Sequence, residues 1–298
     1  MYGEKMIIIR IKGGLGNQLF QYAVGYAMAK RLESKLVLDT TFFPKQSLRG
    51  YKLCKLDLDF QETVVPPKAI ELLKNKFLNK FLRKINIQNI SVNKETTYLL
   101  ETRSDILKQV FSENNTNIYL DGYFQSELYF DKYKEDLHRQ FRSNYSMEDE
   151  FNRQAKEIDS TLSVAVHVRR GDFLKAKNDF NINHYLLEKQ YYLNALDYLK
   201  ARLPSSSVFY WFSDDIEWVK NNFGDLLNYK FVKLKTPNAD IDELFLMSKC
   251  NHIVTANSTF SWWAAWLNNK QNPIRIVPAR RFGNLHMIPD SWIKISVE

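Results

Sequence analysis

The sequence predicts an α/β protein of two doubly wound, Rossmann-type halves, and three observations carry that reading. Short apolar strands alternate with helical stripes through the C-terminal half. A strand, a glycine-rich turn, a helix and a second strand open the chain as a βαβ unit. The 298 residues are enough for two domains, a domain averaging about 150.

Taken in order, Met6 to Ile11 reads as a strand and Lys12-Gly13-Gly14-Leu15-Gly16-Asn17 as the turn. Phe20, Ala23, Val24, Ala27 and Met28 then recur as one buried helix face. Lys35 to Asp39 is the next strand. Pro66-Pro67 breaks the chain, after which Ile70, Leu73, Phe77, Phe81 and Ile85 trace a helical stripe. Asn117 to Asp121 is expected as a strand and Ser126 to Phe141 as a helix. Residues 142–150 are polar and turn-rich, a hinge separating a domain over 1–150 from one over 151–298. Beyond it, strands are expected at 162–168, 207–212, 229–234, 252–256 and 274–277. Helices are expected from Tyr192 to Leu203 and at 214–222, 242–249 and 258–268.

Composition excludes several classes. Apolar residues at 45 % and charged ones at 26 % describe a globular chain rather than a disordered or fibrous one. No apolar run approaches the roughly 20 residues of a membrane span. Arg10 and Lys12 cut the first run short and no small-residue cleavage site follows, so no secretory signal is read. Cys54 and Cys250 alone make neither a disulfide framework nor a zinc set, which points to a cytoplasmic location. The net charge of +8 is local: seven Lys or Arg and one acid between Lys68 and Lys94 account for +6. That pattern does not describe a uniformly basic nucleic-acid binder.

Three clusters carry chemistry. In the first turn, glycine at Gly14 allows backbone to approach a ligand, and the amides of Asn17, Gln18 and Gln21 suit sugar hydroxyls. His167-Val168-Arg169-Arg170-Gly171-Asp172-Phe173 stands where a buried strand ends, the edge at which parallel sheets bind ligands. Arginine there suits a phosphate, which it grips bidentately. Residues alternate sides along a strand end, so one of the two arginines faces the ligand and the other braces Asp172 or a neighbouring surface. In Asn257-Ser258-Thr259-Phe260-Ser261-Trp262-Trp263, Ser258 or Thr259 caps a helix whose free amides favour an anion. Asp214-Asp215 and Asp240/Asp242 are either helix caps or acceptors for a base or ribose. No metal site is expected, since neither Asp-x-Asp pair, Asp57-Leu-Asp59 or Asp240-Ile-Asp242, has a histidine at ligand spacing.

With the Gly-Gly-Leu-Gly-Asn-Gln-Leu-Phe-Gln-Tyr-Ala run at 13–23 and Phe-Ser-Asp-Asp at 212–215, these motifs occur together and in order. The chain resembles the bacterial α-1,2-fucosyltransferases of glycosyltransferase family 11. The resemblance implies a GT-B-like pair of domains facing a cleft, with acceptor on the N-terminal side and donor on the C-terminal side. It implies inverting transfer of L-fucose from GDP-β-L-fucose to the 2-hydroxyl of a terminal β-galactoside, without a metal or other cofactor, in surface polysaccharide (O-antigen) or oligosaccharide synthesis. Arg169 matches the arginine on the diphosphate and His167 opens its motif. Asp242, sixteen residues before Ser258, is similar to an Asp that meets guanine in related enzymes. Asp172 is the candidate general base, and Asp214, Asn257, Ser258 and Thr259 join the donor site. Gly14, Asn17, Gln18 and Gln21 are assigned to the acceptor or cleft. Other readings remain open: a GDP-fucose transferase of another linkage, or a non-catalytic sugar-binding module. The basic segment fits either a helix on an anionic membrane surface, suited to a lipid-linked acceptor, or a domain helix that buries its stripe.

Overall fold

The computed structural model describes residues 5–45, 50–60, 68–102, 117–171, 174, 186–224, 228–279 and 287–297. The chain divides into two compact units, Met1–Tyr145 and Ser146–Glu298.

The first unit is built on β1 (Met6–Arg10), whose isoleucines 7, 8 and 9 are all buried. It lies parallel between β2 (Lys35–Asp39) and β5 (Asn117–Asp121), with Ile8 level with Val37 and Tyr119. A parallel strand, β4 (Thr96–Leu100), and an antiparallel edge strand, β3 (Asn89–Asn93), complete the order β2-β1-β5-β4-β3. Helix α1 (Leu15–Arg31) is buried almost throughout. It lies so close to the sheet that a Cβ on Gly25 would stand 2.8 Å from Leu36 and 2.9 Å from Ile9.

Two expectations for this unit need correction. The stripe after the proline pair, which itself lies outside the described residues, is not one helix with one buried face. Asn75 interrupts it between α2 (Lys68–Leu73) and α3 (Lys76–Lys84), capping α3 by accepting from the Phe77 amide at 3.0 Å. Ile70 is fully buried while Phe77, Phe81 and Ile85 are exposed. The helix expected from Ser126 is helical in the α sense only over α4 (Lys134–Gln140). Two short 3₁₀ turns precede it, because Phe130 leaves helical geometry (φ −139, ψ 9) to bury its ring completely.

The second unit holds a six-stranded, wholly parallel sheet. Its strands are β6 (Ser163–Val168), β7 (Val208–Ser213), β8 (Tyr229–Val232), β9 (His252–Val254), β10 (Arg275–Pro278) and β11 (Ile293–Ile295). The spatial order β8-β7-β6-β9-β10-β11 is the 3-2-1-4-5-6 order of a dinucleotide-type fold. Around it lie α5 (Asp149–Asp159), α6 (Lys189–Lys200), α7 (Ile216–Phe223), α8 (Ala239–Lys249) and α9 (Thr259–Leu267). One sheet face, with Val164, Val166, Val168, Trp211 and Val254, packs under Tyr191, Tyr192 and Leu196 of α6 and Val219 and Phe223 of α7. All six tryptophans (211, 218, 262, 263, 266 and 292) belong to this unit. Among the described residues no helix is long and apolar enough to cross a membrane.

Candidate functional site

The second sheet reverses direction at its centre. From β6 the chain winds out through β7 to β8, then returns to β9 on the other side of β6 and continues to β10 and β11. Ligands of open α/β sheets sit outside the strand carboxyl ends at such a reversal. Two motifs distant in sequence meet there. β6 delivers Arg169 and Arg170, and β9 delivers Thr255, Ala256, Asn257 and Ser258. Val164 pairs with His252 and Val166 with Val254. The pairing ends at Val166 and Val254, so His167 and Arg169 follow on one strand end and Thr255 and Asn257 on the strand end beside it.

Strand alternation separates the arginines. Val164, Val166 and Val168 face α6 and α7, so His167 and Arg169 take the opposite face. Arg169 Nε lies 3.2 Å from Asp214 Oδ2, both side chains about a quarter exposed. Asp214 Oδ1 also accepts from the Arg170 amide at 2.8 Å, so one carboxylate holds the backbone and orients the guanidinium. Arg170 is buried, stacked 4.1 Å over Trp218, with its Nε 3.5 Å from Asp215. Asp215 caps α7, accepting from the Trp218 amide at 3.1 Å. Arg170 thus braces α7.

His167 is buried, its ring 5.5 Å from that of Phe260 on α9. Burial, reinforced by the Arg169 charge, pushes the imidazole down to about 3, so it is neutral near pH 7. His167 Nδ1, Thr255 Oγ1 and Asn257 Oδ1 are among the buried polar atoms of the described residues that have no hydrogen-bond partner, as are Nε and Nη1 of Arg170. Orphans of this kind cost about 1–3 kcal/mol each unless something satisfies them, and the first three lie on the two strand ends that flank the reversal. Ser258 caps α9 through the Phe260 amide at 3.2 Å. Ser261, fully buried, accepts from the Ala256 amide at 3.2 Å and fastens the cap to the strand end. Thr259 opens the helix. Asp242 is fully buried on α8 and accepts from the Thr236 hydroxyl. The structure therefore presents the two as a pair, not Asp242 alone. Asp172 lies outside the described residues.

The glycine turn belongs to the first unit. Gly13 adopts φ +81, and a Cβ there would stand 2.8 Å from Asn17 Nδ2. Gly14 precedes α1 without a side-chain cap. Gln18 and Gln21 are fully buried and engaged with backbone. Gln18 donates to Gly13 O and Gly50 O and accepts from the Lys52 amide; Gln21 accepts from the Lys12 amide and donates to Gly122 O. These amides hold the turn's shape. Asn17, half-buried, accepts from Gln125 at 2.8 Å, so Gly14 and Asn17 remain the candidates for contact.

A charge cluster at the carboxyl edge of this sheet escaped the sequence reading. Asp121, fully buried at the end of β5, receives Arg10 at 2.6 Å, Lys12, and the Tyr98 hydroxyl at 2.6 Å. Desolvation opposes its charge, yet the two cations and these hydrogen bonds hold its carboxyl well below the usual range. The available signal was a lone acid closing an apolar strand. Among the described residues no group of three or more His, Cys, Asp or Glu could hold a metal ion.

Two α/β units in one chain, each built on a largely parallel sheet and the second with its polar strand ends gathered at the reversal, give the chain a GT-B-like fold. The NodZ α-1,6-fucosyltransferase structure, from a crystal soaked with GDP-fucose, matches over 89 % of this chain and 92 % of its own (TM-score 0.55, 14 % identity). The particular family follows from the sequence. The family model for glycosyl transferase family 11 matches residues 6–282, and the chain belongs to that family. It is 32 % identical to an α-1,2-colitosyltransferase of Escherichia coli over 97 % of this chain and 99 % of the relative. It is 27 % identical to the O-antigen biosynthesis glycosyltransferase WbnK of Escherichia coli, over 96 % and 99 %.

Proposed function

We propose that the chain is an inverting galactoside α-1,2-fucosyltransferase. It moves L-fucose from GDP-β-L-fucose to the 2-hydroxyl of a terminal β-galactoside, in the assembly of a surface polysaccharide such as O-antigen or of an oligosaccharide. The observation that carries the reading is the meeting of Arg169 and the Asn257–Thr259 segment at the sheet reversal. The acceptor oxygen attacks the anomeric carbon as the carbon–phosphate oxygen bond breaks. GDP leaves with the bonding electrons, and the hydroxyl proton passes to a carboxylate, for which Asp172 is the candidate. Arg169, oriented by Asp214, and the first amides of α9 stabilise the charge growing on the diphosphate. That field does the work of a divalent cation, so the reaction is metal-independent. His167, neutral, and Asn257 offer hydrogen-bonding groups beside it. The Thr236–Asp242 pair is assigned to guanine. The second unit is thus the donor side and the first, through Gly14 and Asn17, the acceptor side, in a cytoplasmic enzyme.

A second reading, colitosyl transfer, is favoured by the 32 % identical relative; colitose is L-fucose without its 3-hydroxyl. Offering GDP-fucose and GDP-colitose in competition to a panel of β-galactosides, with product linkage assigned by NMR, tests both. The fucosyl proposal expects an α-1,2-fucosylated galactoside as the main product. A preference for GDP-colitose, another linkage, or no transfer from GDP-fucose overturns it.

A further inference from the structure

We propose that the outer face of α3 docks the protein on an anionic membrane surface. The roll of this helix is fixed from its inner side. Leu82 is buried in a cluster with Ile8, Tyr98 and Tyr119. Asn79 Nδ2 donates to the Tyr98 hydroxyl at 3.1 Å, and Arg83 donates to the backbone oxygen of Glu101. Residues 79, 82 and 83 share one face, so α3 cannot turn without breaking all three anchors.

What this leaves outward is apolar. Among the described residues, Phe77 is 83 % exposed, Phe81 56 % and Ile85 46 %, with Leu78 beside them at 38 %. Soluble surfaces carry single exposed apolar side chains routinely; a continuous aromatic and aliphatic stripe at i, i+4 and i+8 marks an interaction surface. Along one edge of the stripe run Lys76, Lys80 and Lys84, again four residues apart and exposed. None of the three has an acidic partner among the described residues. The seven cations and one acid between Lys68 and Lys94 set this region apart from a near-neutral remainder.

Charge complementarity selects the occupant. An apolar stripe bordered by a row of lysines matches an interface in which acyl chains lie beneath negative headgroups. A second copy of this chain would set lysine row near lysine row. Nine residues of helix lie in such an interface and do not span it. Each lysine near the surface adds about fivefold to partitioning, a contribution screened by salt. The inference holds whichever sugar is transferred.

Flotation of the whole chain tests it. Vesicles of phosphatidylcholine alone are compared with phosphatidylcholine–phosphatidylglycerol mixtures, at low and raised salt. The expected result is retention on the anionic vesicles at low salt, weakened by salt and lost in F77S/F81S. In K76Q/K80Q/K84Q, binding should fall by about 10²-fold. Melting temperatures and transfer to a soluble galactoside should match the parent in both variants, which separates docking from folding. Absence of the parent from anionic vesicles overturns the proposal, as does undiminished binding by F77S/F81S. A concentration-dependent dimer that F77S/F81S abolishes, without vesicle binding, gives the surface to a second copy and overturns it too.

Discussion

Exchanging Arg169 and Arg170 one at a time should dissociate turnover from stability. Arg169 is part-exposed and paired with Asp214 at 3.2 Å. An exposed ion pair contributes at most about 1 kcal/mol, and lysine retains the charge, so Arg169→Lys should move melting by no more than roughly 4 °C. Its loss falls on the chemistry. Lysine cannot reproduce the two-pronged contact with a diphosphate, and removing a donor aimed at developing charge costs about 10²–10³ in rate. GDP affinity should fall as well, since the product keeps the diphosphate. Arg170 is the reverse case. Truncation to alanine removes its stack on Trp218, worth about 1–2 kcal/mol, and leaves Asp215 without its cation at the start of α7. Together these amount to about 2–3 kcal/mol, or roughly 4–12 °C for a unit of this size. Turnover at low temperature should survive. Turnover, GDP titration and thermal melting, measured side by side on both variants, are the assay. Near-parental turnover in Arg169→Lys at an unchanged melting temperature would refute the assignment.

Three further outcomes are expected. Asp121→Asn takes the fully buried counterion away from Arg10 and Lys12, whose side chains are 15 % and 12 % exposed, and should destabilise the first unit by about 3 kcal/mol, read as loss of far-UV ellipticity on mild heating; a melting curve like the parent's would contradict the cluster's role. His167 is neutral when folded because burial pushes it down to about 3, whereas the unfolded chain protonates it near pH 6.5. Its contribution to stability is complete above about pH 6.5 and is lost on acidification, roughly 2 kcal/mol by pH 5. His167→Gln should therefore flatten the fall in melting temperature between pH 7 and 5, and an equally steep fall would count against it. Activity should withstand excess EDTA, since Arg169 and the α9 amides supply the positive field; a large loss restored by Mg²⁺ or Mn²⁺ would show a metal site.

The second sheet was legible because its central strands are buried runs bounded by turn residues, as Ser163–Val168 and His252–Val254 show. Several elements that escaped have weak local signals. β3 alternates exposed and half-buried residues at an edge, β11 has three residues, and α5 hides Phe151, Ala155 and Ile158 among charges just past the hinge at 142–150. At the site, the parting of Arg169 from Arg170 follows from the period of two alone. Which cation serves which acid does not. Asp214 and Asp215 are adjacent, and only the fold places Trp218 under Arg170. Gln18 and Gln21 looked available to sugar because a sequence displays a polar side chain without the backbone oxygens of Gly50 and Gly122 that claim it.

The confinement of every indole to the second unit gives the chain a built-in optical label. Trp262 lies within 6.4 Å, ring centre to ring centre, of Trp263, Trp266 and Trp292, and its Nε1 donates to Met287 O at 2.8 Å. Emission excited at the red edge, where tyrosine does not absorb, watches only the second unit. The first unit, which carries much of the tyrosine, is silent to it. A denaturation followed by both emission and ellipticity would therefore resolve whether the two units open in one step or in sequence, with no dye or added cysteine.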